Sequence, residues 1–281
     1  MNTVIVTGAT SGIGLACVRL LTEQGFGVIG MGRSAERCKA AQKQVLEEHP
    51  LAKLRYFAAD LMQLGEINRA AGELGTYIRE NCEGRLYALI NNAGCARGRY
   101  TTTEDGYEQL FALNVLSGFL LTYHMLPYLK NAGGRVIMTG SGSHKGINVH
   151  WEDVMLKNGY NPLTAYKQSK LCNMLFALGL NERYTSCGVR AYVADPGLVK
   201  TDIGNKQTGG LVSAVWSLRK KQGVPPEIPA QTFAYLCGEN PPPDGLYYYL
   251  CKEVKYSRRV TSENAERLFK LCEQLCGIRY N

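Results

Sequence analysis

Val4-Ile5-Val6-Thr7-Gly8-Ala9-Thr10-Ser11-Gly12-Ile13-Gly14 decides the fold. The apolar run reads as a short strand, and the residues from Leu15 to Gln24 carry a helical pattern that stops at Gly25. Between them lies a turn rich in glycine. Glycine lets a backbone approach a pyrophosphate closely, and the following helix offers unpaired N–H groups and the positive end of its dipole. The motif has weight because a strand precedes it and a helix follows it.

The same alternation continues along the chain. Strands are expected at Phe26–Met31, Leu54–Ala58, Leu86–Ile90, Arg135–Thr139, Val189–Val193 and Leu246–Leu250. Helices are expected at Ala35–Glu48, Glu66–Cys82, Glu104–Lys130, Leu163–Thr185, Ala230–Cys237 and Ser262–Cys276. No linker-like stretch or repeat interrupts them. The pattern predicts one α/β domain over residues 1–281: a parallel seven-stranded sheet, doubly wound, with helices on both faces. Gly8, Arg33, Asp60, Asn92, Ser141 and Gly197 all fall just past the C-terminal end of a strand. Open α/β sheets bind ligands along that edge.

Bulk properties narrow the function. The 281 residues are 45% hydrophobic and 20% charged, an ordinary globular composition, with a net charge of +8. The densest basic cluster, Arg219-Lys220-Lys221, reads as a solvated loop, so nucleic acid is not an expected partner. An anionic cofactor suits scattered basic residues better. None of the ten cysteines forms Cys-x-x-Cys, and the four histidines do not pair with them at zinc-like spacing, so no metal site is expected. Cys17 and Cys172 lie in apolar stretches, as reduced core thiols do. The chain opens on a strand-like run, with no leader pattern and no apolar stretch of spanning length. These features lead to the expectation of a cytoplasmic protein without a membrane span.

Two further features carry chemistry. Arg33 follows the second strand, where an acid would bind the 2′-hydroxyl of an adenosine ribose and an arginine suits a 2′-phosphate. No Asp or Glu lies there, so NADP(H) is expected in preference to NAD(H), with Arg37 and Ser11 as helpers. Tyr166 and Lys170, four apart, share a helix face about one turn apart. A phenol with a reference pKa of about 10 is a poor base at neutral pH, and a neighbouring ammonium favours its phenolate.

Taken together, Thr7-Gly-Ala-Thr-Ser-Gly-Ile-Gly14, Asp60-Leu61, Asn91-Asn-Ala-Gly94, Asn114, Ser141, Tyr166-x-x-x-Lys170 and Asp195-Pro-Gly197 with Thr201 resemble the short-chain dehydrogenase/reductases, in family order and over most of the chain. The resemblance implies a Rossmann-type domain. It implies that Tyr166 is the general acid or base, that Ser141 donates to the substrate oxygen, and that Lys170 tunes Tyr166 and binds the nicotinamide ribose. It implies that Asn114 holds a water linking Lys170 to solvent. Gly8, Ser11 and Ile13 would line the pyrophosphate and ribose, and Asp60 and Leu61 the adenine. Asn92, Ala93 and Gly94 would line the cofactor cleft, and Gly197 and Thr201 the nicotinamide. The usual Ser-Ser is here Gly140-Ser141, and Ser141 aligns with the second serine; Ser143 is the alternative candidate.

The glycine spacing is Gly-x-x-x-Gly-x-Gly rather than the longer epimerase type, and 25 residues separate Ser141 from Tyr166. Gly140-Ser-Gly-Ser-His144, Trp151-Glu-Asp153 and Ala165-Tyr-Lys-Gln-Ser-Lys-Leu-Cys-Asn173 resemble the retinol-dehydrogenase-like branch. That branch commonly prefers NADP(H), in agreement with Arg33. A small hydrophobic carbonyl or alcohol is the expected substrate, and relatives in the wider family often form homodimers or homotetramers. Leu211, Val212, Val215, Trp216 and Leu218 are expected in a substrate lid at about 198–230, with residues 142–162 and Tyr247–Tyr249 lining the same pocket. Two rival functions are a double-bond reductase of the protochlorophyllide-reductase kind and a non-catalytic NADP(H)-sensing regulator.

Overall fold

Thr3–Thr7 is buried at every position, because this strand lies mid-sheet with helices over both faces. The computed structural model describes residues 1–200, 223–240 and 242–281. In chain order the main elements are β1 (Thr3–Thr7), α1 (Gly12–Glu23), β2 (Gly27–Gly32), α2 (Ala35–Glu48), β3 (Leu54–Ala58), α3 (Leu64–Asn81) and β4 (Ala88–Asn91). There follow α4 (Gln109–Ala132), β5 (Arg135–Thr139), α5 (Pro162–Tyr184), β6 (Arg190–Asp195), α6 (Glu227–Gly238), β7 (Tyr247–Tyr249), β8 (Lys252–Glu253) and α7 (Ser262–Cys276).

The sheet order is β3-β2-β1-β4-β5-β6-β7-β8. All neighbours are parallel except β7 and β8. The expected seven strands are therefore eight. Leu250 and Cys251 both adopt left-handed backbone (φ 48° and 60°) and form a two-residue hairpin turn, so Lys252–Glu253 folds back against Tyr248 and Tyr249. Such turns usually announce themselves with Asn or Gly, and neither residue is present here.

One apolar core lies between the sheet and α3, α4, α5 and α7. A second lies beneath α1, α2 and α6. Small residues set the spacing on β2. A Cβ on Gly30 would sit 2.4 Å from the Tyr56 ring, and the Tyr56 hydroxyl donates to the Ala9 carbonyl at 2.9 Å. The third strand thereby braces the glycine turn from behind.

The fourth helix departs from expectation at its start. Residues 104–108 are not helical: Thr102 bridges to Glu108, whose carboxylate accepts from the backbone N–H of Leu110 and Phe111 at 2.9 and 2.7 Å and begins the helix at Gln109. By length and composition Gln109–Ala132 could cross a membrane, contrary to the expectation that the chain has no such stretch. Its apolar window is 78% buried against the sheet and the flanking α3 and α5, so its hydrophobicity is spent on the core.

Candidate active site

The glycine turn comes first because its shape follows from sterics. Gly8 has φ +64°, and a Cβ there would lie 3.0 Å from both the Ala93 Cα and the Asn92 Nδ2. A Cβ on Gly14 would lie 2.2 Å from the Gly8 carbonyl oxygen. The turn is stitched to the end of β4. Thr7 Oγ1 accepts from the N–H of Asn92 and Ala93 at 3.0 and 2.9 Å, and Asn92 Nδ2 donates to the Thr7 carbonyl at 2.9 Å. The first turn of α1 carries no acidic residue, and Ser11 makes no side-chain cap to it. A tight cradle opening on an uncapped helix N-terminus fits a pyrophosphate.

The other residues expected at a cofactor lie along the same edge of the sheet. Ser11, Arg33 and Arg37 are exposed, with Arg33 directly after β2. Ile13 and Asp60 are half-buried, and Leu61 is buried. Asp60 Oδ1 accepts from Met62 N–H at 3.1 Å, fixing the turn after β3. A Cβ on Gly94 would approach Asn114 Oδ1 to 3.1 Å. Gly197 follows β6 with φ +65° and packs under the Tyr249 ring. Thr201 and the apolar lid residues Leu211–Leu218 lie outside the described residues.

Tyr166 and Lys170 stand on the N-terminal half of α5. The Lys170 Nζ lies 5.6 Å from the centre of the Tyr166 ring and donates to the Thr139 carbonyl at 3.0 Å. Asn173, further along the same face, donates to that carbonyl at 3.1 Å. These two bonds dock α5 on the end of β5, two residues before Ser141. Lys170 is buried, which pushes its ammonium down to about 8, against the opposing pull of Cys95 and Asp195.

Asn114 lies in a π-helical turn, Ala112–Leu116, within α4. Extra turns of this kind gather at functional sites. Its side chain is fully committed: Oδ1 accepts from Cys95 N–H at 2.8 Å, and Nδ2 donates to the Cys95 carbonyl and to Ser169 Oγ, each at 3.1 Å. Ser169 Oγ donates to the Tyr166 carbonyl at 2.8 Å. Asn114 thus joins the segment after β4 to the helix bearing Tyr166.

Ser141 begins a short 3₁₀ turn, Gly142–His144. Its Oγ accepts from Ser143 N–H at 3.2 Å and from Ser143 Oγ at 2.9 Å. Ser143 therefore supports Ser141 while the Ser141 hydroxyl proton stays available to another acceptor.

Four residues at this edge were not picked out as site residues from the sequence: Ser169, His144, Asp195 and Tyr247. The Tyr247 hydroxyl donates to Asp195 Oδ2, and Asp195 Oδ1 accepts from Gly197 N–H at 2.8 Å. Burial and the adjacent Asp195 carboxylate push the Tyr247 phenol up, so it remains a donor. In the sequence Asp195 stands only within the Asp-Pro-Gly turn, and Tyr247 only among three consecutive tyrosines expected in the pocket. The spacing Ser141-x-x-His144 was the one available signal for the histidine. A groove of about 720 Å³ lies elsewhere, between β3 and α3, lined by Arg55, Phe57, Arg69 and Tyr77 among others. It contains none of the residues above.

Comparison with known proteins agrees with this layout. A family model described as short chain dehydrogenase matches residues 2–210. Mouse retinol dehydrogenase 12 is 32% identical over 281 residues, covering 99% of this chain and 87% of the relative. Human retinol dehydrogenase 13 is 34% identical over 291 residues, covering 99% and 85%. Among solved structures, an uncharacterized protein from Mycobacterium paratuberculosis superposes with a TM-score of 0.75 at 27% identity, covering 100% of this chain and 95% of that one. An alcohol dehydrogenase from Thermococcus sibiricus, complexed with 5-hydroxy-NADP, gives 0.69 at 18% identity, covering 91% and 100%.

Proposed function

Because this chain belongs to the short-chain dehydrogenase family, in its retinol-dehydrogenase-like branch, we propose that it is an NADP(H)-dependent carbonyl reductase, reversible as an alcohol dehydrogenase, acting on a hydrophobic ketone or aldehyde. The observation that carries this reading is the Tyr166–Lys170 pair, docked on the strand that leads into Ser141 and bonded through Ser169 to Asn114. The exposed Arg33 after β2, with no acid beside it, supports the 2′-phosphorylated cofactor.

The chemistry divides simply. The bound nicotinamide supplies or accepts the hydride. Ser141 donates a hydrogen bond to the substrate oxygen and holds it toward Tyr166. Tyr166 gives that oxygen its proton in reduction and takes it in oxidation. Lys170, as an ammonium, favours the phenolate left after proton transfer, and its depressed proton affinity lets it exchange that proton near neutral pH. Asn114 ties the segment after β4 to the helix that carries Tyr166, and the relay water between Lys170 and solvent would be held at its π turn. Gly8, Gly14 and the first turn of α1 take the pyrophosphate, and Arg33 and Arg37 the 2′-phosphate.

The test is NADPH oxidation over a panel of hydrophobic ketones and aldehydes, with wild type and Tyr166→Phe. The variant should lose roughly 10²–10⁴-fold in turnover. Equal rates would overturn the mechanism, and a saturated C–C bond in place of an alcohol product would overturn the reaction class.

A further inference from the structure

We propose that His144 is a positioning residue for Ser141, latching the serine turn to the segment after β8 through a neutral imidazole of one fixed tautomer. The proposal rests on the reading of Ser141 as the donor to substrate oxygen.

His144 is the last residue of the 3₁₀ turn that Ser141 starts, and its side chain is fully buried. Its Nε2 lies 3.1 Å from the backbone nitrogen of Ser257. A backbone N–H can only donate, so Nε2 must carry a lone pair and the ring proton must be on Nδ1. Nδ1 lies 2.6 Å from the Ser141 carbonyl oxygen, which accepts that proton. The same carbonyl also accepts from the His144 N–H at 3.1 Å. Ser141 is therefore gripped from its own backbone by a ring whose other nitrogen is anchored 113 residues further along the chain.

The surroundings hold the ring in place. Tyr247 meets it edge to face at 5.0 Å between centroids, and the hydroxyl of that tyrosine is engaged by Asp195. The charged and titratable neighbours are Asp195 and Tyr247 on β6 and β7 and Lys145 on the turn itself. Burial is the largest influence and pushes the imidazole below its ordinary value, with Lys145 acting the same way. The Ser141 carbonyl and Asp195 pull in the opposite direction. A second ring proton would point Nε2–H at the Ser257 N–H, so protonation opens the latch.

The experiment compares wild type, His144→Phe and His144→Asn in NADPH-dependent carbonyl reduction across pH, with NADPH binding measured by fluorescence. Asparagine can restore a donor near the Nδ1 position and does not titrate. His144→Phe should lower kcat by roughly tenfold to a hundredfold, the scale of a small misplacement of a reacting group, with NADPH affinity retained. Wild type should show an acid-side fall in kcat; His144→Asn should recover turnover relative to phenylalanine and lose that fall. Wild-type kcat in His144→Phe, or an unchanged acid limb in His144→Asn, would overturn the latch. Ser141→Ala is assayed alongside: full activity there would remove the reading of Ser141 itself, a failure distinct from that of the latch.

Discussion

The side-chain amide of Asn114 donates to the hydroxyl of Ser169 at 3.1 Å, across the contact between α4 and α5. One bond thus ties the π turn to the helix that carries Tyr166 and Lys170. Replacing Asn114 with leucine leaves the buried N–H and carbonyl of Cys95 without their partners. The expected loss is about 2 kcal/mol or more, read from urea unfolding. Ser169→Ala removes the acceptor of the Asn114 amide and a donor to the Tyr166 carbonyl, but leaves both Cys95 bonds in place, and should cost less, about 1–2 kcal/mol. Both variants should lower kcat more than they raise the KM for substrate.

Lys170 weighs against stability in the interest of function. Its proton leaves the folded protein at about 8, whereas the ordinary value is 10.5. Between those limits the unfolded chain binds the proton and the native state does not, so stability rises with pH across that window. Below pH 8 the buried ammonium costs the fold on the order of 3 kcal/mol. Lys170→Met should therefore unfold at a higher temperature than wild type at pH 7, while its turnover collapses. The gap in stability should close as pH approaches 10.5. A methionine variant less stable than wild type at pH 7 would contradict this account.

The cofactor preference proposed above rests on Arg33, exposed directly after β2. Arg33→Asp removes a cation that would face the 2′-phosphate and supplies an acid for a ribose hydroxyl. A charge-assisted bond is worth about 1.5–3 kcal/mol, so the KM for NADPH should rise roughly tenfold to a hundredfold. The KM for NADH should fall in the same variant. Steady-state kinetics with both cofactors measures the ratio.

Gly14→Ala tests the glycine turn by sterics alone. The added methyl would press on the Gly8 carbonyl at 2.2 Å, where only backbone could move. Cofactor binding should fall below detection in a fluorescence titration. Gly72→Ala, on α3 with nothing within 4 Å of its new methyl, should bind as wild type does.

Arg135 offers a test of the scaffold behind the site. Its guanidinium is buried and donates to the carbonyls of Leu236, Cys237 and Glu239 at 2.6–2.7 Å, closing the C-terminal end of α6. Arg135→Met should cost several kcal/mol in thermal or urea unfolding, because three carbonyls lose their donor at once. A lysine at this position should recover only part of the loss, since one ammonium cannot reproduce the planar fork.

The sequence by itself determined the strand–helix alternation, the glycine turn and the edge on which the site lies. These are written in local periodicity and in residues that tolerate few conformations. The spacing of Tyr166 and Lys170 put that pair on one helix face, and the resemblance of the motifs to a known family added Asn114 and Ser141. Only the tertiary structure decided how they are held. Ser169 and Asn114, Tyr247 and Asp195, and His144 and Ser257 meet across 55, 52 and 113 residues of chain. No local pattern encodes those pairings. They arise because parallel strands bring distant segments to one edge, where buried polar groups must find partners or forfeit their hydration. The eighth strand was hidden for a related reason: Leu250 and Cys251 take left-handed backbone that their side chains do not favour, and the pairing of β7 with β8 holds them there.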